Sequence, residues 1–199
     1  MRMEREYIST TDTAKLIRKA LKKAFPDIKF SVISEKYAGG SSIRVSYIDG
    51  PKSADIDQVV SCFSSKGFDG MIDMSYHKYH WLQPDGSVIL AHSPGTSGSA
   101  GMVDPRENGR PHPDAKMVSF GSDYVFVNRS YSKAAIETAV SELEKDWGLT
   151  RPAEFQIIDS NFPPGSASFR GGNHKFNDDP RSCDYWQDMI HRKLRDLDF

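Results

Sequence analysis

Between residues 10 and 67 the spacing of the apolar side chains changes repeatedly, and each change falls at a strong breaker. That constrains the fold more than any other property of the chain. Leu16, Ile17, Ala20, Leu21, Ala24 and Phe25 recur at helical spacing behind the N-cap candidates Thr10, Thr11 and Asp12, and Pro26 stops the run. Residues 28–33 alternate loosely as a half-buried strand does, Ala38-Gly39-Gly40-Ser41-Ser42 reads as a turn, and residues 43–48 alternate cleanly up to Asp49-Gly50-Pro51. Ser53 then caps a second helix that carries Ile56, Val59, Val60 and Phe63 inward. It ends near Lys66-Gly67, where glycine accepts a left-handed backbone. This order predicts an α+β fold with a helix–β-hairpin–helix core, both helices covering one face of the hairpin.

Beyond residue 67 the pattern is sparser. Residues 68–92 are rich in aromatic and histidine side chains, and Pro84-Asp85-Gly86 is a turn between short strands at 79–82 and 87–91. Residues 93–115 have no apolar period and read as a flexible loop. An additional strand–helix unit follows: a strand at 124–127, then a helix capped by Ser132, striped with Ile136, Ala139, Val140, Leu143 and Trp147, and ended by Gly148. Residues 155–158 add a strand, 160–182 read as loop, and 184–197 form a C-terminal amphipathic helix. The expected organisation is a module over 1–150 and a C-terminal extension over 151–199.

The chain of 199 residues lacks an apolar run of the roughly 18 residues that span a bilayer, and residues 1–6 lead into no apolar signal segment. Cys62 and Cys183 are too few for a disulfide framework or a four-thiolate zinc site. A reduced cytoplasmic protein with no membrane partner is expected. The net charge of −1 conceals +5 on residues 1–52 and −6 on 53–199, and neither half is extreme enough to imply nucleic acid or membrane alone.

Several chemistries are excluded by spacing. Gly39-Gly40-Ser41-Ser42 lacks the lysine and following helix of a phosphate-binding loop, and residues 95–101 never give the Gly-x-Ser-x-Gly spacing of a nucleophile elbow. His77 and His80, joined by Asp73, Asp69 or His92, are the weak metal candidates. On one strand they would face opposite sides, so structural histidines are the simpler reading. Asp69 and Asp73 are either paired carboxylates for acid–base or Mg²⁺ chemistry, or capping and salt-bridging groups, and Asp49 and Asp85 are turn residues. Cys62, beside Val59 and Phe63, reads as a small buried hydrophobe, and Cys183 lies near a helix start with no base partner. No cofactor and no catalytic residue is expected.

Binding has two candidate surfaces. Lys15, Arg18, Lys19, Lys22 and Lys23 share one face of the first helix, with Lys29, Lys36 and Arg44 nearby, and Tyr76, Tyr79 and Trp81 could stack bases or anchor a partner. Tyr185, Trp186, Met189 and Ile190 on the last helix suit a partner, a second copy in a homodimer, or this chain's own core.

Five strings then carry a family resemblance: Tyr7-Ile8-Ser9-Thr10-Thr11, Lys36-Tyr37-Ala38-Gly39-Gly40-Ser41-Ser42-Ile43, Tyr47-Ile48-Asp49-Gly50-Pro51, Phe68-Asp69-Gly70-Met71-Ile72-Asp73, and Gly121-Ser122-Asp123-Tyr124. With these the chain resembles the large polyvalent protein-associated domain family 29 over residues 7–92 and about 120–146. The resemblance implies a small α+β module of phages, plasmids and integrative elements, found alone or inside giant proteins delivered with DNA. It also implies a role in establishing the element in its host, including opposition to host defences, and it brings no reaction or cofactor. The expectation is a non-enzymatic accessory protein that occludes a partner's working surface, such as that of a CRISPR or restriction complex. The alternatives are a DNA- or RNA-binding protein that protects incoming element DNA, and a metal-dependent enzyme using Asp69, Asp73, His77 and His80.

Overall fold

A computed structural model of the chain describes residues 4–99, 101–107, 109–148, 150–161, 163–171 and 186–197. The fold is α+β, and it divides into two compact units. Unit 1 comprises Met1–Val45 and Ala54–Val127; unit 2 comprises Ser46–Ser53 and Asn128–Phe199.

Unit 1 opens with β1 (Glu6–Ile8) and helix α1 (Thr10–Ala24). Ile17 and Leu21 are buried, as the spacing predicts, and Ala14, outside the stripe read from the sequence, is buried with them. The cap is one residue earlier than expected: the Ser9 hydroxyl accepts the Asp12 amide, and Thr10 is drawn into the core instead. Strands β2 (Ser31–Tyr37) and β3 (Gly40–Ile48) are neighbours across a two-residue turn in which Gly39 has φ 84°. The turn is tighter, and the first strand later, than the sequence suggested.

Helix α2 (Ser53–Val60) continues into a 3₁₀ turn (Ser61–Phe63) and stops there, short of the expected end near residue 67. Ser64 and Ser65 break it by turning their hydroxyls onto the carbonyls of Asp123 and Ser122, and Ser65 also donates its amide to Ser122. Gly67 therefore lies in a strand, β4 (Lys66–Asp69), which pairs antiparallel with β5 (Met74–His77).

Strands β6 (Tyr79–Leu82), β7 (Val88–Pro94), β8 (Met102–Val103) and β9 (Lys116–Phe120) complete a five-stranded sheet of order β1-β9-β6-β7-β8. It is antiparallel except for β1 beside β9, where Ile8 aligns with Phe120. Strand β8 lies within the stretch read as a flexible loop, with Met102 opposite Pro94. Phe63, Phe120 and His80 pack ring against ring at 5.3 and 5.5 Å. Strand β10 (Tyr124–Ser130) lies beside β3 in the order β10-β3-β2, and the unit boundary falls inside both strands.

Unit 2 holds α3 (Lys133–Trp147), β11 (Gln156–Asn161), β12 (Pro164–Arg170) and α4 (Trp186–Asp196). Ser132 caps α3 and Gly148 ends it with φ 61°, as read from the sequence. Strand β12 replaces part of the loop expected over 160–182 and pairs antiparallel with β11. Residues 184 and 185 of the expected last helix lie outside the described residues. The core gathers Ile136, Val140, Leu143, Phe155, Trp186, Ile190 and Leu194, with Phe155 edge-on to Trp186 at 88°. Arg129 fastens this unit. Its guanidinium donates to the carbonyls of Asp49, Gly50, Leu194 and Leu197 at 3.4, 2.5, 3.4 and 2.7 Å, setting a cation against the C-terminal end of α4.

Candidate functional site

Three strings that stood out in the sequence meet at one point of unit 1. The Gly121 carbonyl accepts the hydroxyls of Thr10 at 2.5 Å and Ser41 at 2.6 Å, and the Gly121 amide donates to Ile8 at 2.6 Å. Ser122 donates its hydroxyl to Phe63, and the Asp123 carboxylate takes the Ser41 amide at 3.1 Å and the Lys66 ammonium at 3.0 Å. A side chain at 121 has no room: a Cβ there would lie 2.7 Å from the Thr10 nitrogen and 2.9 Å from the Ile8 oxygen. Every hydroxyl in this clasp has a backbone partner, so its chemistry is structural.

The Phe68–Asp73 string behaves differently. It forms the end of the β4–β5 hairpin, and Asp69 is wholly buried at its base. One Asp69 oxygen accepts the Met71 amide at 3.0 Å, and the other accepts the Thr96 amide at 2.7 Å. Thr96, through its hydroxyl and then its amide, with help from the Met71 and Ile72 amides, holds the carboxyl below the usual carboxylate range against its burial. Tyr76 donates to Ser99 at 3.2 Å, and the Met71 side chain lies directly over Gly98, where a Cβ would overlap it. The segment read as flexible is thus tied to the hairpin at three places.

Above this rigid base the hairpin shows solvent Phe68, Met71, Ile72 and Met74, which are 57%, 71%, 55% and 59% exposed. Met71 and Ile72 lie in the turn, and the register sets Phe68 and Met74 on opposite faces beside it, so four large apolar groups within seven residues stay outside the core.

A family model described as large polyvalent protein associated domain 29 matches residues 8–132, more than half of the chain. The chain belongs to that family. No curated protein and no solved structure matches it. Domains of this family are typical of the polyvalent proteins of mobile elements. The matched span holds both the Gly121 clasp and the hairpin, so the family's strings include one structural device and one surface device.

The other candidates of this domain 29 protein are scattered. On α1, Lys15 is paired with Asp12 at 2.8 Å, Arg18 donates to the Val32 carbonyl, and Lys23 stands 4.0 Å from Asp85. Lys19 and Lys22 make no ion pair among the described residues. Arg44 pairs with Glu35 at 3.3 Å. The aromatic stretch is split between two sheets: Tyr76 is half-buried on β5, Tyr79 stacks on His92 with Arg5 on its ring, and Trp81 is buried at 4% exposure in the β6 core. Trp81 cannot stack a base without leaving that core.

Asp73, with φ 51°, sits in the hairpin turn, His77 is exposed on β5 and His80 is buried on β6. Among the described residues no three histidine, cysteine or acidic side chains gather as a metal site. Burial pushes the His80 imidazole down to about 3 and the Cys62 thiol up to about 11. Trp186 and Ile190 are buried in their own unit, Met189 packs against that core, and Tyr185 and Cys183 lie outside the described residues. Sequence reasoning missed Met71, Ile72 and Met74 as surface groups. The signal was present: four apolar residues around Asp-Gly, with neither a helical nor an alternating period.

Proposed function

We propose that the chain is a non-enzymatic accessory protein of a mobile genetic element that acts by docking on a protein, with the β4–β5 hairpin as its anchor. The observation that carries this reading is the exposed set Phe68, Met71, Ile72 and Met74 held on a base fixed by buried Asp69. Aromatic side chains on a preorganised support lose little freedom on binding, and methionines beside them adapt to irregular apolar surfaces. Residues 67–77 contain no lysine or arginine, so the patch suits an apolar protein surface better than a phosphate backbone or an anionic membrane. The family's setting extends the reading to a host defence complex of CRISPR or restriction type, whose working surface the hairpin would cover. The helix–hairpin–helix segment then serves as the core of the scaffold, in a reduced cytoplasmic setting.

A photo-crosslinking residue at position 72, expressed in a host cell with and without nuclease, tests it. A protein adduct that survives nuclease and is lost in Met71→Ser/Met74→Ser supports the reading. An adduct unchanged in that variant, or none, rejects it.

A second reading rests on Lys19 and Lys22, which remain without ion pairs on the solvent face of α1 among the described residues. Such a face suits nucleic-acid phosphates. It predicts DNA or RNA binding that falls steeply between low and moderate salt and is lost on reversing Lys19, Lys22 and Lys23 to Glu.

A further inference from the structure

Lys19 and Lys23, one turn apart on α1, edge a groove of about 480 Å³ in unit 1. Its apolar lining comes from Leu16, Ala20 and Ala24 of α1 and from Val59 and Phe63 of the α2 region, and the β6–β7 turn with Asp85 forms the opposite wall. Small side chains at Ala20 and Ala24 keep the α1 wall low. From Leu16 to Ala24 the α1 wall runs about 12 Å at the helical rise, two turns of a helix.

The charges of the lining are unbalanced. Asp85 stands 4.0 Å from Lys23 with both side chains mostly exposed, and Lys19 has no acidic partner among the described residues. The Cys62 thiol in the lining is neutral, pushed up to about 11 by burial. An apolar trough with a positive lip is complementary to a segment with apolar side chains along one face and a carboxylate beside them. Nucleic acid matches poorly: Lys19 and Lys23 stand only at the lip, and the apolar floor gives a charged strand nothing to bind. A compact small molecule would leave much of the trough's length unfilled.

We propose that this groove takes an amphipathic helix of a protein partner, its apolar face on Leu16, Ala20, Ala24 and Val59 and a carboxylate at Lys19. This is the helix-in-groove mode of recognition. The site is distinct from the hairpin, and either can fail without the other.

Cys62 makes the test direct. The full chain is treated with iodoacetamide at mildly alkaline pH, and alkylation of Cys62 is followed by peptide mapping, which counts Cys183 separately. The probe is a synthetic 14-residue helix with leucines at i, i+3, i+4 and i+7 and glutamates beside them; the control has lysine at each glutamate. At four times its Kd the acidic peptide slows Cys62 alkylation about fivefold by mass action, while the lysine peptide at the same concentration has little effect. Lys19→Glu, an exposed change that keeps the fold, reverses that preference. Equal protection by both peptides, or by neither, overturns the proposal. Protection by octanoate but not by the acidic peptide overturns the helix as occupant.

Discussion

Gly121 in unit 1 and Arg129 in unit 2 each draw distant pieces of their own unit together, with opposite chemistry. At Gly121 neutral hydroxyls from Thr10 and Ser41 converge on one carbonyl; at Arg129 one cation donates to four carbonyls. The surroundings follow suit. Around the first lie buried Ser65 and Ser122 with backbone partners. Unit 2 instead has Lys193 with Glu142 and Asp146, and Arg151 with Glu137 and Glu144. Short neutral bonds in a dry interior respond little to salt, whereas half-exposed ion pairs are screened by it. The clasp of the unit that presents the hairpin and the groove therefore rests mainly on bonds that salt screens little, with Lys66–Asp123 as its half-buried ionic member.

The sharpest way to break this contrast is Gly121→Ala. Its methyl meets backbone atoms that cannot step aside, and we expect a loss of about 4 kcal/mol by chemical unfolding, with amide exchange rising first in β1, β3 and β9. Arg129→Met leaves four carbonyls without their cation. It should cost about 3 kcal/mol, with exchange rising in α4 while β9 stays protected.

Acid gives a third handle. His80 is neutral in the folded chain down to about pH 3, while the unfolded chain protonates it near 6.5. Stability therefore falls as pH drops through that window, by up to about 1.4 kcal/mol per unit, and His80→Gln should flatten the slope. Asp69 has the depressed carboxylate sign: its contribution is present above the unfolded value and disappears as pH falls through the lower folded one. Exchange of the Thr96 amide should report this first, and Asp69→Asn should open the 94–99 segment already at neutral pH. The smallest effect is Lys193→Ala, about 0.5 kcal/mol at low salt and less in 1 M NaCl; an equal salt response in both units would remove the distinction drawn here.

What the sequence revealed was local. The α1 stripe, the Ser132 and Gly148 caps of α3 and the Pro84-Asp85-Gly86 turn are all decided within one or two turns of chain, and they stand as read. The errors share a different cause. Helix α2 ends early because Ser64 and Ser65 are claimed by carbonyls 57 or more residues away, and Thr10 is not the cap because its hydroxyl serves residue 121. Asp69 does cap, on the Met71 amide, but its other partner, Thr96, lies in a segment without periodicity and was not foreseen. The hairpin tip was legible only as an anomaly, and its support was not legible at all.

The separation of Thr10 from Gly121 also sets an order of events during synthesis. The anchor of α1 is 111 residues downstream, and β1 must likewise wait for β9. Until that stretch leaves the ribosome, the early helix and its neighbouring strands have no final seat, so this unit closes late.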